Sequence, residues 1–64
     1  MATTVRDMLR RLHAAGWTVV RQRGSHRQLQ HPTNPATVTV AGKPSANIHP
    51  KIVATILRQT GLDH

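Results

Sequence analysis

The chain has 64 residues and a formal net charge of +7, with nine Lys and Arg against two carboxylates and no cysteine. That length allows one small domain, residues 1–64, which buries only about 60% of the surface its unfolded chain exposes, and the missing cysteines exclude a disulfide framework and a Cys/His zinc site. No apolar run reaches the roughly 18 residues of a membrane helix and no signal-peptide apolar region follows Met1, so a cytoplasmic protein with a polyanionic partner such as nucleic acid is expected.

Residues 4–15 read as the first helix. Val5, Met8, Leu9, Leu12 and Ala15 recur at helical spacing and form one apolar stripe. Thr4 suits the N-cap, and Asp7 three residues later favours the positive helix end. Gly16 suits the left-handed position that ends the helix. Arg6, Arg10 and His13 fall on the polar side. Trp17 to Arg23 reads as a strand with β-favouring Thr18, Val19 and Val20, broken by Gly24-Ser25. His26 to His31 is a second short strand, stopped by the turn cluster Pro32-Thr33-Asn34-Pro35. Ala36 to Val40 alternates as a half-buried third strand. Ala41 to Ile48 reads as a loop containing Gly42, Lys43 and Pro44. A second helix runs from about Pro50 to Thr60, with Pro50 at its first position, Ile52, Val53, Ile56 and Leu57 as its stripe, and Gly61 as its stop. The order is α-β-β-β-α. Short connections favour an antiparallel meander, and two apolar helix stripes must find one apolar sheet face. The expected fold is therefore α+β, a three-stranded antiparallel sheet with both helices on one face. Double-stranded-RNA-binding domains use that arrangement.

Acid-base chemistry has few candidates. Asp7 and Asp63 are the only carboxylates, and glutamate and tyrosine are absent. Histidine is then the group best suited to move a proton near neutral pH. His26 follows the Gly24-Ser25 turn between basic runs, with Arg21, Arg23 and Arg27 within a few residues. Strand alternation puts His26, Gln28 and Gln30 on one face and Arg27, Leu29 and His31 on the other. Leu29 is the large apolar residue there, so His26 should face water, unless a bulge at Gly24 re-aims it. Backbone N–H groups of the turn suit an anion, and Lys43 suits a phosphate. The bland alternative is an exposed turn histidine without a role. His13, His31, His49 and His64 are weaker candidates, as solvated, opposite-face, helix-cap and terminal residues. Ser25 beside His26 is a poor dyad, because neighbouring strand side chains diverge. Trp17, the single aromatic, reads as a core anchor, and Asn34 and Asn47 as turn and cap residues. With so few carboxylates a two-metal nuclease is disfavoured, and no metal or cofactor is called for. RNA carries its own nucleophile, the 2′-OH, so a histidine and nearby cations suffice for its cleavage. A metal-free nuclease of this composition should act on RNA.

The pattern Gly16-Trp17, Arg21-Gln22-Arg23-Gly24-Ser25-His26, His31-Pro32-Thr33, Val38-Thr39-Val40 and Ile56-Leu57-Arg58-Gln59-Thr60-Gly61-Leu62 resembles the HicA family of toxin mRNA interferases along nearly the whole chain. The resemblance implies a double-stranded-RNA-binding-domain-like fold, cleavage of mRNA, and neutralisation by a cognate HicB-type antitoxin. It also implies that the histidine of the Gly-Ser-His motif, here His26, is catalytic. One departure stands out: family members often carry Gly-Thr at the start of the last helix, where this chain reads His49-Pro50-Lys51-Ile52. The competing readings are a non-catalytic double-stranded-RNA-binding module and a purely structural or interaction domain.

Overall fold

The computed structural model describes residues 2–63; Met1 and His64, the last of the five histidines, lie outside them. In chain order the elements are β1 (Thr3–Thr4), α1 (Val5–Ala14), β2 (Thr18–Arg23), β3 (His26–Gln30), β4 (Val38–Ala41), β5 (Asn47–Ile48) and α2 (Pro50–Thr60). Strands β2, β3 and β4 form one antiparallel sheet in that order, and β1 pairs antiparallel with β5 in a second, two-stranded sheet. The α+β class and the α-β-β-β-α order therefore hold, with β1 and β5 added. Two residues cannot display a period of two, so neither short strand is visible as an alternation. Asn47 accordingly sits in β5 and is not the cap of α2.

Local chemistry explains the boundaries. Thr4 caps α1 by accepting the Asp7 N–H on its Oγ1 at 3.1 Å. His49 caps α2 in the same way, its Nδ1 accepting from the Lys51 N–H at 3.1 Å, with Pro50 in the first turn. Gly61 ends α2 in the left-handed region at φ 75°. The third strand begins at Val38, two residues later than alternation suggests. The Ala36 N–H is taken by Asn34 Oδ1 at 2.9 Å, an Asx turn that holds the chain out of the sheet.

The core is small and one-sided. Val5, Met8 and Leu12 of α1, Trp17, Leu29 of β3, Val38 and Val40 of β4, and Ile56 of α2 are all buried. Leu9, Ile48, Val53, Leu57 and Leu62 pack around them. Both helices thus cover one sheet face and the opposite face is open. Among the described residues no helix is long and apolar enough to cross a membrane.

Trp17, immediately before β2, and the strand itself make two demands that a regularly alternating run cannot meet together. Trp17, Val19, Arg21 and Arg23 are all odd-numbered, so unbroken alternation would send all four to one face. Trp17 is only 2% exposed, whereas Arg21 and Arg23 are in solvent. The conflict is resolved by a bulge: Val19 pairs with Leu29 and Arg21 with Gln28, leaving Val20 as the extra residue. N-terminal to Val20 the strand follows the core; C-terminal to it, the open face.

Candidate active site

The β2–β3 hairpin closes on the two-residue loop Gly24-Ser25, with Arg23 directly opposite His26. Gly24 has φ 61°, and among the described residues only glycines have positive φ, so Ser25 is negative. That is the sign pattern of a type II′ turn, whose twist suits a tight hairpin. A Cβ at Gly24 would meet nothing within 4 Å, so the glycine answers to backbone conformation alone.

Cross-strand pairing then sets the open face. His26 lies beside Arg23 and Ala41, and Gln28 beside Arg21 and Thr39. Together Arg21, Arg23, His26, Gln28 and Thr39 line a shallow cavity of about 270 Å³. Larger cavities exist, including one of about 500 Å³ between β5 and the start of α2. That one contains His49, whose Nδ1 is occupied by the helix cap, and neither Lys nor Arg lines it. The smaller cavity is the candidate because a histidine and two arginines converge there. All three are exposed, and none has a side-chain hydrogen bond or ion pair among the described residues. Of the lining residues, Gln28 and Thr39 were not among the predicted site residues: strand alternation puts Gln28 on the His26 face without giving it a role, and the Gln28–Thr39 pair depends on the β3–β4 register, which no local motif encodes.

The bulge that could re-aim site residues is at Val20 and not at Gly24, and it acts on β2. Arg27 is placed elsewhere. It is half-buried on the inner face, where its Nη1 donates to the Ser25 carbonyl at 3.2 Å and the Gly42 carbonyl at 3.0 Å. It fastens the turn to the loop after β4. The Gly42 N–H returns a bond to the Ser25 carbonyl at 3.3 Å, and Gln22 Nε2 donates to the Gly24 carbonyl at 3.0 Å. The turn carrying His26 is thereby held from three sides. Lys43 is exposed in that same loop, next to the turn and outside the cavity.

The remaining described histidines are apart from this face. His13 is exposed on α1 and His49 caps α2. His31 is a structural pin: Nε2 donates to the Ala15 carbonyl at 3.0 Å, Nδ1 accepts from the Thr33 N–H at 3.1 Å, and the ring lies 5.3 Å from that of Trp17. A Cβ on Gly16 would come within 2.9 Å of His31 Nε2, so this close approach requires glycine there. Among the described residues no three His, Asp, Glu or Cys side chains converge as metal ligands.

A family model described as the HicA toxin of bacterial toxin-antitoxin matches residues 5–62. No curated protein matches the chain.

Proposed function

The chain belongs to the HicA toxin family, nine-tenths of its length being matched, and from that premise we propose that it is a metal-independent endoribonuclease that cleaves mRNA in the cytoplasm. The observation that carries this reading is the convergence of His26, Arg21 and Arg23 on an open, polar sheet face of a HicA-family protein. In the proposed step His26 accepts the proton of a ribose 2′-OH, and the oxygen attacks the adjacent phosphorus. The bond to the 5′-oxygen breaks, leaving a 2′,3′-cyclic phosphate and a 5′-hydroxyl. Arg21 and Arg23 stabilise the added negative charge on the phosphorane as it develops. The leaving oxygen takes a proton from water, from another histidine or from the substrate. Gln28 and Thr39 supply hydrogen bonds that orient the substrate. Arg27 acts indirectly, by fixing the turn.

The partner that restrains such a toxin is a HicB-type antitoxin. An acidic partner that covers the His26 face would be drawn to a chain of net charge +7, and its association rate should fall as salt is added.

The decisive experiment is RNA cleavage by purified protein in EDTA, wild type beside His26→Ala, with circular dichroism on both. A general acid-base group contributes about 10²–10⁴-fold, so the variant should be folded and nearly inactive. Undiminished cleavage by a folded His26→Ala protein would refute the assignment. RNA binding without cleavage by the wild type would make the chain a binding module.

A further inference from the structure

We infer that an RNA strand seated at the His26 cavity continues across the loop between β4 and β5 and along α1, where Lys43, Arg6 and Arg10 hold its phosphates. This path rests on the ribonuclease reading above and adds to it the direction of the substrate. Its continuity is written in the hydrogen bonds of one loop, residues 42–46. At one end Gly42 is tied to the turn that carries His26, through its N–H to Ser25 and its carbonyl to Arg27. At the other end the loop seats the first turn of α1. The Arg6 N–H donates to the Pro44 carbonyl at 3.0 Å and the Val5 N–H to the Ala46 carbonyl at 2.9 Å. The loop is also pressed against the helix, for a Cβ on Gly42 would lie 3.3 Å from Val5 Cγ2. Lys43 stands between the hairpin turn and the helix start.

From there the cations continue along the helix. Arg6, Arg10 and His13 stand at i, i+4 and i+7, within an arc of about 60° and over about 10 Å of helix axis. Val5, Met8 and Leu12 define the buried side, so this stripe faces solvent. Asp7, the one carboxylate of α1, projects about 100° away from Arg6 and about 60° from Arg10, so it borders the stripe on one side. Arg11 belongs to a different arc and is turned toward the end of α2, its Nη2 donating to the Leu62 carbonyl at 3.1 Å. Arg6, Arg10 and Lys43 are exposed and make no side-chain hydrogen bond or ion pair among the described residues.

The composition of this path selects nucleic acid over protein. Among the described residues the exposed large apolar ones are Val19, Val20 and Ile52, and none of these lies on it. Protein interfaces are centred on apolar and aromatic anchors. A phosphate chain needs only spaced cations, which is what this strip offers.

The test uses the full chain with His26→Ala as parent, so that a single-stranded oligoribonucleotide survives the measurement. Arg6→Gln, Arg10→Gln and, as a control for charge alone, Arg58→Gln in the last turn of α2 each remove one charge and retain helix propensity. Binding is followed by fluorescence anisotropy over a range of salt. Arg6→Gln and Arg10→Gln should each weaken binding several-fold and make the salt dependence shallower by roughly 0.7 for each phosphate no longer neutralised. Arg58→Gln should stay near the parent. Arg6 and Arg10 variants that behave like Arg58→Gln would overturn the path while leaving the ribonuclease reading intact. Unchanged RNA binding with lost neutralisation by the antitoxin would overturn it too, making the stripe a protein-docking face. A parent that binds no RNA would remove the ribonuclease reading and this path with it.

Discussion

Deleting Val20 should be nearly harmless, although it removes a residue from the middle of a strand. Val19 already pairs with Leu29 and Arg21 with Gln28, so the deletion joins two correct registers and leaves every remaining side chain on its present face. Val20 is 53% exposed. Burying a whole valine is worth about 1.5–3 kcal/mol, so losing the covered half costs about 1 kcal/mol. Against this, one fewer unpaired residue must be ordered, which is worth about 1–2 kcal/mol of backbone entropy. The net change should lie within about 1 kcal/mol of zero, or less than about 8 °C in Tm for a domain of this size. Deleting Gln22 shortens the same strand by the same amount but has the opposite consequence. Counting back from the turn, Arg21 would then oppose Arg27 on the inner face, where two guanidinium groups meet and one leaves the cavity. The assay is thermal denaturation together with RNA cleavage for the two deletions side by side. The Val20 deletion should fold and cleave; the Gln22 deletion should be less stable and much less active. If losing Val20 unfolds the protein, or lowers cleavage as far as losing Gln22 does, the account of the bulge is wrong.

Two further outcomes separate residues that hold the site from residues that work in it. His31→Ala should lower stability by about 1–3 kcal/mol in urea denaturation, because it strands the part-buried Ala15 carbonyl and removes the ring packed beside Trp17, whereas His26→Ala should change it by less than about 0.5 kcal/mol. Arg27→Met should cost about 1–2 kcal/mol through the missing bonds to Ser25 and Gly42 and slow cleavage through a loosened turn; Arg23→Met should slow cleavage with stability unchanged within about 0.5 kcal/mol, and equal stability losses in the two variants would contradict this division.

The elements that announce themselves by periodicity were legible in the sequence. The α1 stripe, the Thr4 and Pro50 starts and the Gly61 stop are local, and each is met in the structure; of the α2 stripe Val53, Ile56 and Leu57 meet the core, whereas Ile52 is 53% exposed, because it lies about 100° round the helix from Val53, beyond the reach of a three-stranded sheet. The separation of His26 from Leu29 across the two faces of β3 was also readable, because it needs only alternation. What escaped depends on partners distant in sequence. Strands β1 and β5 exist because Thr3 meets Ile48 and Thr4 meets Asn47, and neither pair carries a motif. The role of Arg27 could not be separated from those of Arg21 and Arg23 by proximity to His26, because its partner, the Gly42 carbonyl, is fifteen positions away. The bulge had a trace in the sequence: a core tryptophan and a solvent arginine cannot stand four apart in an evenly alternating run, so some irregularity was implied between Trp17 and Arg21, and the structure places it at Val20.

The buried core and the open face share a sheet but no side chains. Every residue lining the His26 cavity is exposed, and every core residue points the other way. Exposed substitutions away from caps and turns usually shift stability by less than about 0.5 kcal/mol, so the cavity can vary its sequence while the fold stays above threshold. Point changes at these outward positions therefore need no compensating repair inside. A protein with a core this small has little stability to spare, and the separation of the two faces means that chemistry built on the open one does not draw on that core.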